Sequence, residues 1–437
     1  MLSQNNIFTS DFTPAPYWWD ASEPETHRDP LPSAVEILIV GSGYAGLNAA
    51  IELARNGRQV AVLDADRLGS GASTRTGGMI SSGQKLVVGG AIKGISPDLF
   101  KNMIADSIAS FAFIQDLVRE ENLDADLYIG GRYFGGHTPT QMQRLYEMGD
   151  ILNRVTGVTV HKIDRQRQSE VIGSTFYHGG ILVDEYGGIH PGKYHRSLRN
   201  LAKSYGVQLF SHARVTSITE NASGKQVATE RGNVQAEKVL ITTNGYTGRQ
   251  ATPNIARRIV PVKSYQIATE PLPADLLAYL IPKKRMITDS RRDLIYTRPS
   301  PDGTRLLFGS RPGILQVDDR TAAVKIRQRM LDIWPELADY RISHAWSGNV
   351  GMTADKTAHV GQMDNGDYAV GCNGNGVALM SWLGYRLAQK ILATEKSPLS
   401  FDRPDFKTIP LYNGNPWFLP IASGWYRFRD ALDKRLG

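Results

Sequence analysis

Cysteine is almost missing from these 437 residues: Cys372 stands alone, which excludes an intramolecular disulfide and any zinc or iron–sulfur centre built on thiolates. A reducing compartment is the natural setting, and a cytoplasmic location is expected. Long apolar runs are missing too. No stretch approaches the roughly 18 consecutive apolar residues of a membrane-spanning helix. The segment Met1 to Asp20 mixes polar residues with Pro14, Pro16 and Tyr17-Trp18-Trp19, and no basic start leads into an apolar core, so no secretory signal is predicted. Neither a G-x-S-x-G elbow nor an H-E-x-x-H helix occurs, and the nine histidines are scattered without metal spacing. His190, before Pro191, and His344, beside Trp346, therefore read as capping or packed side chains.

Charge of one sign is not concentrated anywhere either. Fifty basic against 43 acidic residues give a net +7 spread over the chain, which favours anionic ligands by long-range attraction. The densest basic stretch, Lys283 to Arg292, lacks interleaved aromatics and reads as a solvated face, so no nucleic-acid partner is expected. With 41% hydrophobic and 21% charged residues the chain suits a large buried core, and at about 150 residues per domain it predicts two to three domains.

What is present is organised around one segment. Val35 to Val40 is a short apolar run suited to a buried parallel strand, and Gly41-Ser42-Gly43-Tyr44-Ala45-Gly46 follows directly. Leu47, Ala50, Ile51 and Ala54 then recur at helical spacing, Asn56-Gly57 stops the helix, and Gln59 to Leu63 forms a second strand ending at Asp64. The three glycines differ in role, with a tight turn at Gly41, close approach of a pyrophosphate at Gly43 and helix–strand packing at Gly46. Asp64, 23 residues after Gly41, can accept from ribose hydroxyls, which favours NAD or FAD over a 2′-phosphorylated dinucleotide.

Two later segments favour the flavin. Gly69 to Gly78 is a small-residue loop carrying Arg75, able to follow an extended ligand and meet phosphate charge. Near the C-terminus, Tyr368 to Gly371 reads as a strand that passes through Asn373-Gly374-Asn375-Gly376 into a helix bearing Val377, Met380, Leu383, Leu387 and Ile391. A second glycine turn before a second helix N-terminus suggests that the chain returns to one cofactor.

Together with Ile241-Thr242-Thr243-Asn244-Gly245-Tyr246 and Leu307-Phe308-Gly309, these motifs resemble the FAD-dependent D-amino-acid oxidase superfamily on its glycine and sarcosine oxidase side. The similarity is greatest to the gamma-glutamylputrescine oxidoreductase-like group and runs from about Ile37 to Leu392. It implies noncovalent FAD and oxidation of a primary or secondary amine or amino acid to an imine by hydride transfer, then hydrolysis to a carbonyl product and an amine. It also implies cofactor contacts from Gly41, Gly43, Tyr44, Ala45, Gly46, Asp64 and Ala65, and from Gly71, Ala72, Ser73, Thr74, Arg75, Gly77, Gly78 and Met79. Further contacts would come from Val215, Thr243, Asn244, Gly245, Trp346 and Gly348, and from Gly374, Asn375, Gly376 and Val377. Asp64 replaces the family's usual glutamate and keeps the ribose acceptor. Leu307 stands near where the sarcosine oxidase branch places a lysine, so the electron acceptor is oxygen or another carrier.

The expected fold is α/β: a Rossmann-like FAD-binding domain (1–98, 165–260 and 350–437) interleaved with an α+β substrate domain (99–164 and 261–349) built on an antiparallel sheet. Leu127 to Phe134, Val260 to Glu270, Leu294 to Arg298 and Arg305 to Gly309 read as strands, and an amphipathic helix starts near Gly192 and stops at Gly206. Ser211 to Ser217 and Val227 to Glu230 suggest a small meander. The substrate is expected to be a small amine bearing an anionic group. Its pocket candidates are Arg132, Lys263, Tyr265, Tyr296, Arg311 and Trp346, which flank predicted strand ends; no catalytic base is identified. The other class open on sequence grounds is an NAD-dependent dehydrogenase or a non-catalytic nucleotide-binding module.

Overall fold

The computed structural model describes residues 7–87, 95–291, 293–310, 317–419, 421, 424 and 425. Two large sheets carry the molecule. In the first, of eight strands, Gln208–Phe210, Val60–Leu63, Ala34–Val40, Gly232–Ile241 and Gly366–Val370 lie side by side and parallel. The inner strands are apolar almost throughout because helices or a second layer cover both faces: all four residues of Val60–Leu63 are buried. The antiparallel strands Val215–Asn221 and Gly224–Thr229 form the expected meander on the outer half of Gly232–Ile241.

Helix Tyr44–Arg55 follows Ala34–Val40, and helix Ala378–Leu392 follows Gly366–Val370. The two strands run in one direction, so both helices start from the same edge of the sheet. They touch closely: a Cβ on Gly384 would lie 2.0 Å from the Ala45 carbonyl oxygen. The long helix Pro97–Glu120 is capped by the Ser96 hydroxyl and packs Met103, Ile104, Phe111, Ile114 and Leu117 into the same core.

The second sheet has nine strands, in the order Phe8–Thr13, Ile342–Met352, Val260–Thr269, Leu306–Ser310, Tyr296–Pro299, Met286–Asp289, Arg132–Gly135, Gly179–Val183 and Val160–Asp164. It is antiparallel except at two pairings, Phe8–Thr13 with Ile342–Met352 and Met286–Asp289 with Arg132–Gly135. This strand order departs from the expected segment division. Phe8–Thr13 and Gly179–Val183, assigned from sequence to the cofactor unit, hydrogen-bond into this sheet, and Pro97–Glu120, assigned mostly to the substrate unit, packs on the cofactor helices. The predicted strand Leu127 to Phe134 is broken into Tyr128–Ile129 and Arg132–Gly135 by Gly130 and by Gly131, whose φ is +85°. The basic stretch 283–292 is not one solvated face: Arg285 is buried and donates to the Glu170 carbonyl, and Arg291 pairs with buried Asp289. Among the described residues no helix is long and apolar enough to cross a membrane, and no group of three His, Cys, Asp or Glu could hold a metal ion.

Candidate cofactor and substrate site

The first glycine turn is built by contact. Gly41 has a φ of +107°, which side-chain-bearing residues rarely adopt, and a Cβ on it would sit 3.1 Å from Thr242 Oγ1. On Gly46 a Cβ would lie 2.0 Å from the Gly41 carbonyl oxygen, so this third glycine lets the helix start directly against the turn. Gly43 differs. A Cβ there would approach only Ser73 Oγ, at 3.1 Å, which leaves the face of the turn open for a ligand. Gly43 caps helix Tyr44–Arg55 with no side-chain cap, and Gly374, φ +87°, precedes helix Ala378–Leu392, likewise without one. Nothing lies within 4 Å of a Cβ on Gly374 or on Gly71. Two uncapped helix starts on one sheet edge present partial positive charge, which suits a pyrophosphate.

Asp64 closes this end. Its Oδ2 accepts from the Ser42 amide at 2.9 Å and the Ser42 hydroxyl at 2.5 Å, and Oδ1 accepts from the Asp66 amide at 3.1 Å. Burial pushes its carboxyl above the usual range, against the hydrogen bonds from Ser42. Ser42 occupies both lone pairs of Oδ2, whereas Oδ1 accepts from one donor only and keeps a second lone pair for a ribose hydroxyl. Behind the turn, fully buried His195 shares a 2.7 Å hydrogen bond with the Ser42 carbonyl through Nε2, and desolvation lowers its pKa to about 3, so the neutral ring donates.

The Gly69 to Met79 loop is held from four directions. The Tyr44 amide donates to Ser73 Oγ at 3.1 Å and the Tyr44 hydroxyl to the Ser73 carbonyl at 2.6 Å. Arg75 donates to the Ser70 carbonyl (2.7 Å) and the Ser347 carbonyl (3.0 Å), and its guanidinium lies 4.7 Å from the centre of the Trp19 ring. Trp346 Nε1 and Gln266 Nε2 both donate to the Arg75 carbonyl. Trp18 donates to the Thr76 carbonyl and Trp19 to Thr74 Oγ1, each at 2.9 Å. A Cβ on Gly348 would be 3.0 Å from Arg75 Cβ.

The other expected cofactor residues converge unevenly on this place. Asn244 Oδ1 accepts from the amides of Gly371 (3.0 Å) and Cys372 (3.3 Å), and a Cβ on Gly245 would meet the Asn349 carbonyl at 2.8 Å, so Thr243 to Gly245 buttress the late turn. Val215 starts its strand two residues beyond Ala213, whose amide donates to the Asp64 carbonyl at 2.8 Å. Ala65 is exposed beside Asp64.

The nine-stranded sheet turns one face to this loop. Trp346 pairs with Gln266, Gln266 with Gly309, Gly309 with Tyr296, Tyr296 with Thr288 and Thr288 with Phe134, so their side chains share that face. The Tyr296 ring lies over Gly309, where a Cβ would come within 2.1 Å of it, and over Gly77, at 3.0 Å. Its hydroxyl shares a 2.9 Å hydrogen bond with Ser264 Oγ. Tyr265 and Lys263 alternate to the opposite face: Tyr265 joins a separate apolar core and bonds to Val317, and Lys263 lies 5.8 Å from its ring centre. Strand parity thus turns both away from the pocket wall expected of them. Arg311 lies outside the described residues. Arg132 and Trp346 remain on the inner face, with Trp346 buried among Trp18, Ala268 and Leu307. Sequence reading overlooked Ser264, Gln266, Thr288 and Arg298; the alternation along Val260–Thr269 was the available signal for the first two. His190 caps helix Pro191–Ser204 and His344 bonds to Ser343, as the sequence suggests.

Comparison with known proteins gives a matching picture. The family model described as FAD dependent oxidoreductase (DAO) matches residues 36–390. The chain is 30% identical to the probable oxidoreductase OrdL of Rhizobium meliloti, across 97% of this chain and 99% of that one. It is 27% identical to gamma-glutamylputrescine oxidoreductase of Escherichia coli, across 91% and 93%. The crystal structure of glycine oxidase from Geobacillus kaustophilus superposes with a TM-score of 0.71 at 20% identity, covering 87% of this chain and 99% of that one, which establishes a shared fold.

Proposed function

Because this chain belongs to the FAD dependent oxidoreductase family that includes amine and amino-acid oxidoreductases, we propose that it oxidises an amine carrying an anionic group to an imine, which water then hydrolyses to a carbonyl compound and an amine. The single observation behind the cofactor assignment is the pair of uncapped helix starts on one sheet edge, with Asp64 bonded to the first turn and the Arg75 loop tied to the first helix start through Tyr44. Gly43, Gly71 and Gly374 would let the pyrophosphate approach, Asp64 would take a ribose hydroxyl, and Arg75 would add positive charge. When bound, FAD supplies the two-electron acceptor for the hydride of the substrate C–H bond. Cys372, the sole cysteine, is buried in the late turn, which supports noncovalent binding and a reducing compartment such as the cytoplasm.

The chain's own residues bind and orient the substrate. Tyr296, held by Ser264 and pressed over Gly309 and Gly77, offers an aromatic wall. Arg132 and Arg298, buried on the same face, disfavour a positive charge nearby and so favour the neutral amine, whose lone pair the reaction requires. Those two cations support an anionic group in the substrate. For the electron acceptor, Leu307 is buried among Trp18 and Trp346 and adds no cation, which supports a carrier other than oxygen.

The deciding experiment is an absorption spectrum followed by acid precipitation. Flavin bands that pass into the supernatant are expected; colourless protein that binds NAD would overturn the proposal. Anaerobic bleaching by amines then tests the reaction. Stopped-flow reoxidation by air is expected to be slower than turnover with an artificial acceptor, and air rates matching turnover would make oxygen the acceptor.

A further inference from the structure

Exposed apolar side chains are scattered over any protein surface, but here they gather near the C-terminus. Between residues 411 and 425, Leu411 is 86% exposed, Trp417 53%, Ile421 69% and Trp425 57%, whereas the chain's other five tryptophans are buried or half-buried. Trp417, Ile421 and Trp425 recur at intervals of four, and Ile421 and Trp425 have helical backbone, so the three lie along one side of the segment. In a helix that serves the core such a stripe is covered; this one faces outward. The sequence beyond continues the apolar spacing with Phe428 and Leu432, set among Arg427, Arg429, Asp430, Asp433, Lys434 and Arg435. Apolar positions at helical spacing with charges between them suit a segment lying along a membrane surface, not one passing through it, and tryptophan is favoured at that boundary.

The body of the protein holds this segment and rims it with positive charge. Tyr412 is buried and its hydroxyl donates to the Ile259 carbonyl at 2.7 Å, the Ile409 amide donates to the Arg257 carbonyl at 3.5 Å, and a Cβ on Gly414 would lie 2.6 Å from Arg249 Cδ. Trp417 Nε1 donates to the Leu411 carbonyl at 3.3 Å, which brings these two exposed residues together. Arg249, Arg257 and Lys407 are exposed, and no carboxylate among the described residues pairs with them, whereas the neighbouring acids Asp402 and Asp405 are engaged by Lys390 and Arg403. With four basic against two acidic residues in the sequence 426–437, the charge around the apolar face is positive in balance.

We infer that the face carrying Leu411, Trp417, Ile421 and Trp425 is a membrane-docking surface, which attaches the protein peripherally to a lipid leaflet bearing anionic headgroups. The two indoles and two aliphatic side chains supply the apolar contact, and Arg249, Arg257 and Lys407 meet the headgroup charge; stable attachment takes both signals. In a symmetric pairing of two copies the basic rim would meet itself, whereas anionic headgroups complement it. This surface goes beyond the flavin reading and does not depend on it.

The test is sedimentation of the purified full-length protein with unilamellar vesicles, made of phosphatidylcholine alone or of phosphatidylcholine with phosphatidylglycerol. Binding to the anionic vesicles is expected, weaker with the neutral ones and reduced by salt. The double variant Trp417→Ser/Trp425→Ser is expected to lower affinity for anionic vesicles roughly 10- to 100-fold, and Arg257→Glu/Lys407→Glu roughly tenfold or more. Melting temperatures should stay near wild type, because these side chains are exposed. Trp417→Phe/Trp425→Phe, which keeps the rings, should recover much of the binding. Tryptophan emission should shift to the blue and be quenched by brominated lipid in the wild type but not in the serine variant. No binding to anionic vesicles, equal binding to neutral and anionic ones, or undiminished binding by the serine variant would overturn the inference. So would a dimer in light scattering that the serine variant abolishes while vesicles leave the protein in solution, since the face would then join two copies. Oxidation of amines is read separately, from flavin bleaching, so failure of one reading leaves the other standing.

Discussion

At the scale of single residues, the glycine turn tolerates almost no added volume on one side and is open on the other. Gly46→Ala would press its methyl group against the Gly41 carbonyl, 2.0 Å away, and overpacking of this kind costs about 1–3 kcal/mol. The expected outcome is a lower melting temperature together with loss of bound flavin, measured by calorimetry and by absorbance after gel filtration. His195 makes a pH-dependent contribution to the same turn. In the unfolded chain its imidazole takes up a proton near 6.5, whereas desolvation in the fold delays protonation to about 3. Protonation therefore favours the unfolded chain: the full contribution is present above pH 6.5 and is lost as pH falls toward 3. His190, lowered to about 4 chiefly by burial, acts in the same direction. Urea unfolding midpoints taken stepwise across this range should fall on acidification, and His195→Asn, which keeps a donor but does not titrate, should reduce the slope. An unchanged slope would show that the ring is not held neutral.

At the scale of elements, the N-terminal turn Tyr17–Trp19 ties the two sheets together. Trp18 is fully buried under Trp346 and Leu307, while Trp19 faces Arg75 and bonds to Thr74. This turn lies outside the family-model match at 36–390, yet it grips the loop expected to face the cofactor. Trp18→Ala should destabilise the protein by about 3–5 kcal/mol through the cavity it leaves. Half-buried Trp19→Ala should be milder in stability but weaken FAD binding, because Arg75 loses its aromatic support; FAD fluorescence released on dilution would measure this. Equal FAD affinity in wild type and Trp19→Ala would leave the turn a purely structural clasp. The turn's aromatic run was visible in the sequence, but its role was not, since Thr74 and Thr76 lie more than 50 residues away. The same holds for Tyr265 and Tyr296. Both are aromatic residues near strand ends, and only strand register separates the one packed outward from the one against Gly77.

At the scale of the whole molecule, the proposed cofactor site draws on segments spread along most of the chain, from Gly41 to Val377. Binding to the folded state alone should thus stabilise the entire assembly, by about 2.7 kcal/mol when free FAD is at 100 times its dissociation constant. Apo-protein prepared by acid or chaotrope treatment should melt at a lower temperature than the holoenzyme and recover on titration with FAD; identical melting curves would show that the turns do not hold the flavin. The glycine turn, the first strand–helix–strand unit, Asp64 and the late turn were determined by the sequence itself, because each depends on neighbours a few residues apart and on backbone conformations that glycine alone adopts cheaply. Tertiary structure decided which side chains face one another: that Gln266 and Trp346 converge on the Arg75 carbonyl, that Tyr296 rather than Tyr265 lies against Gly77, and that helix Pro97–Glu120 packs against helix Ala378–Leu392. Those outcomes follow from strand register and helix docking over long sequence separations, where a shift of one residue turns a side chain to the other face and local composition carries no record of the choice.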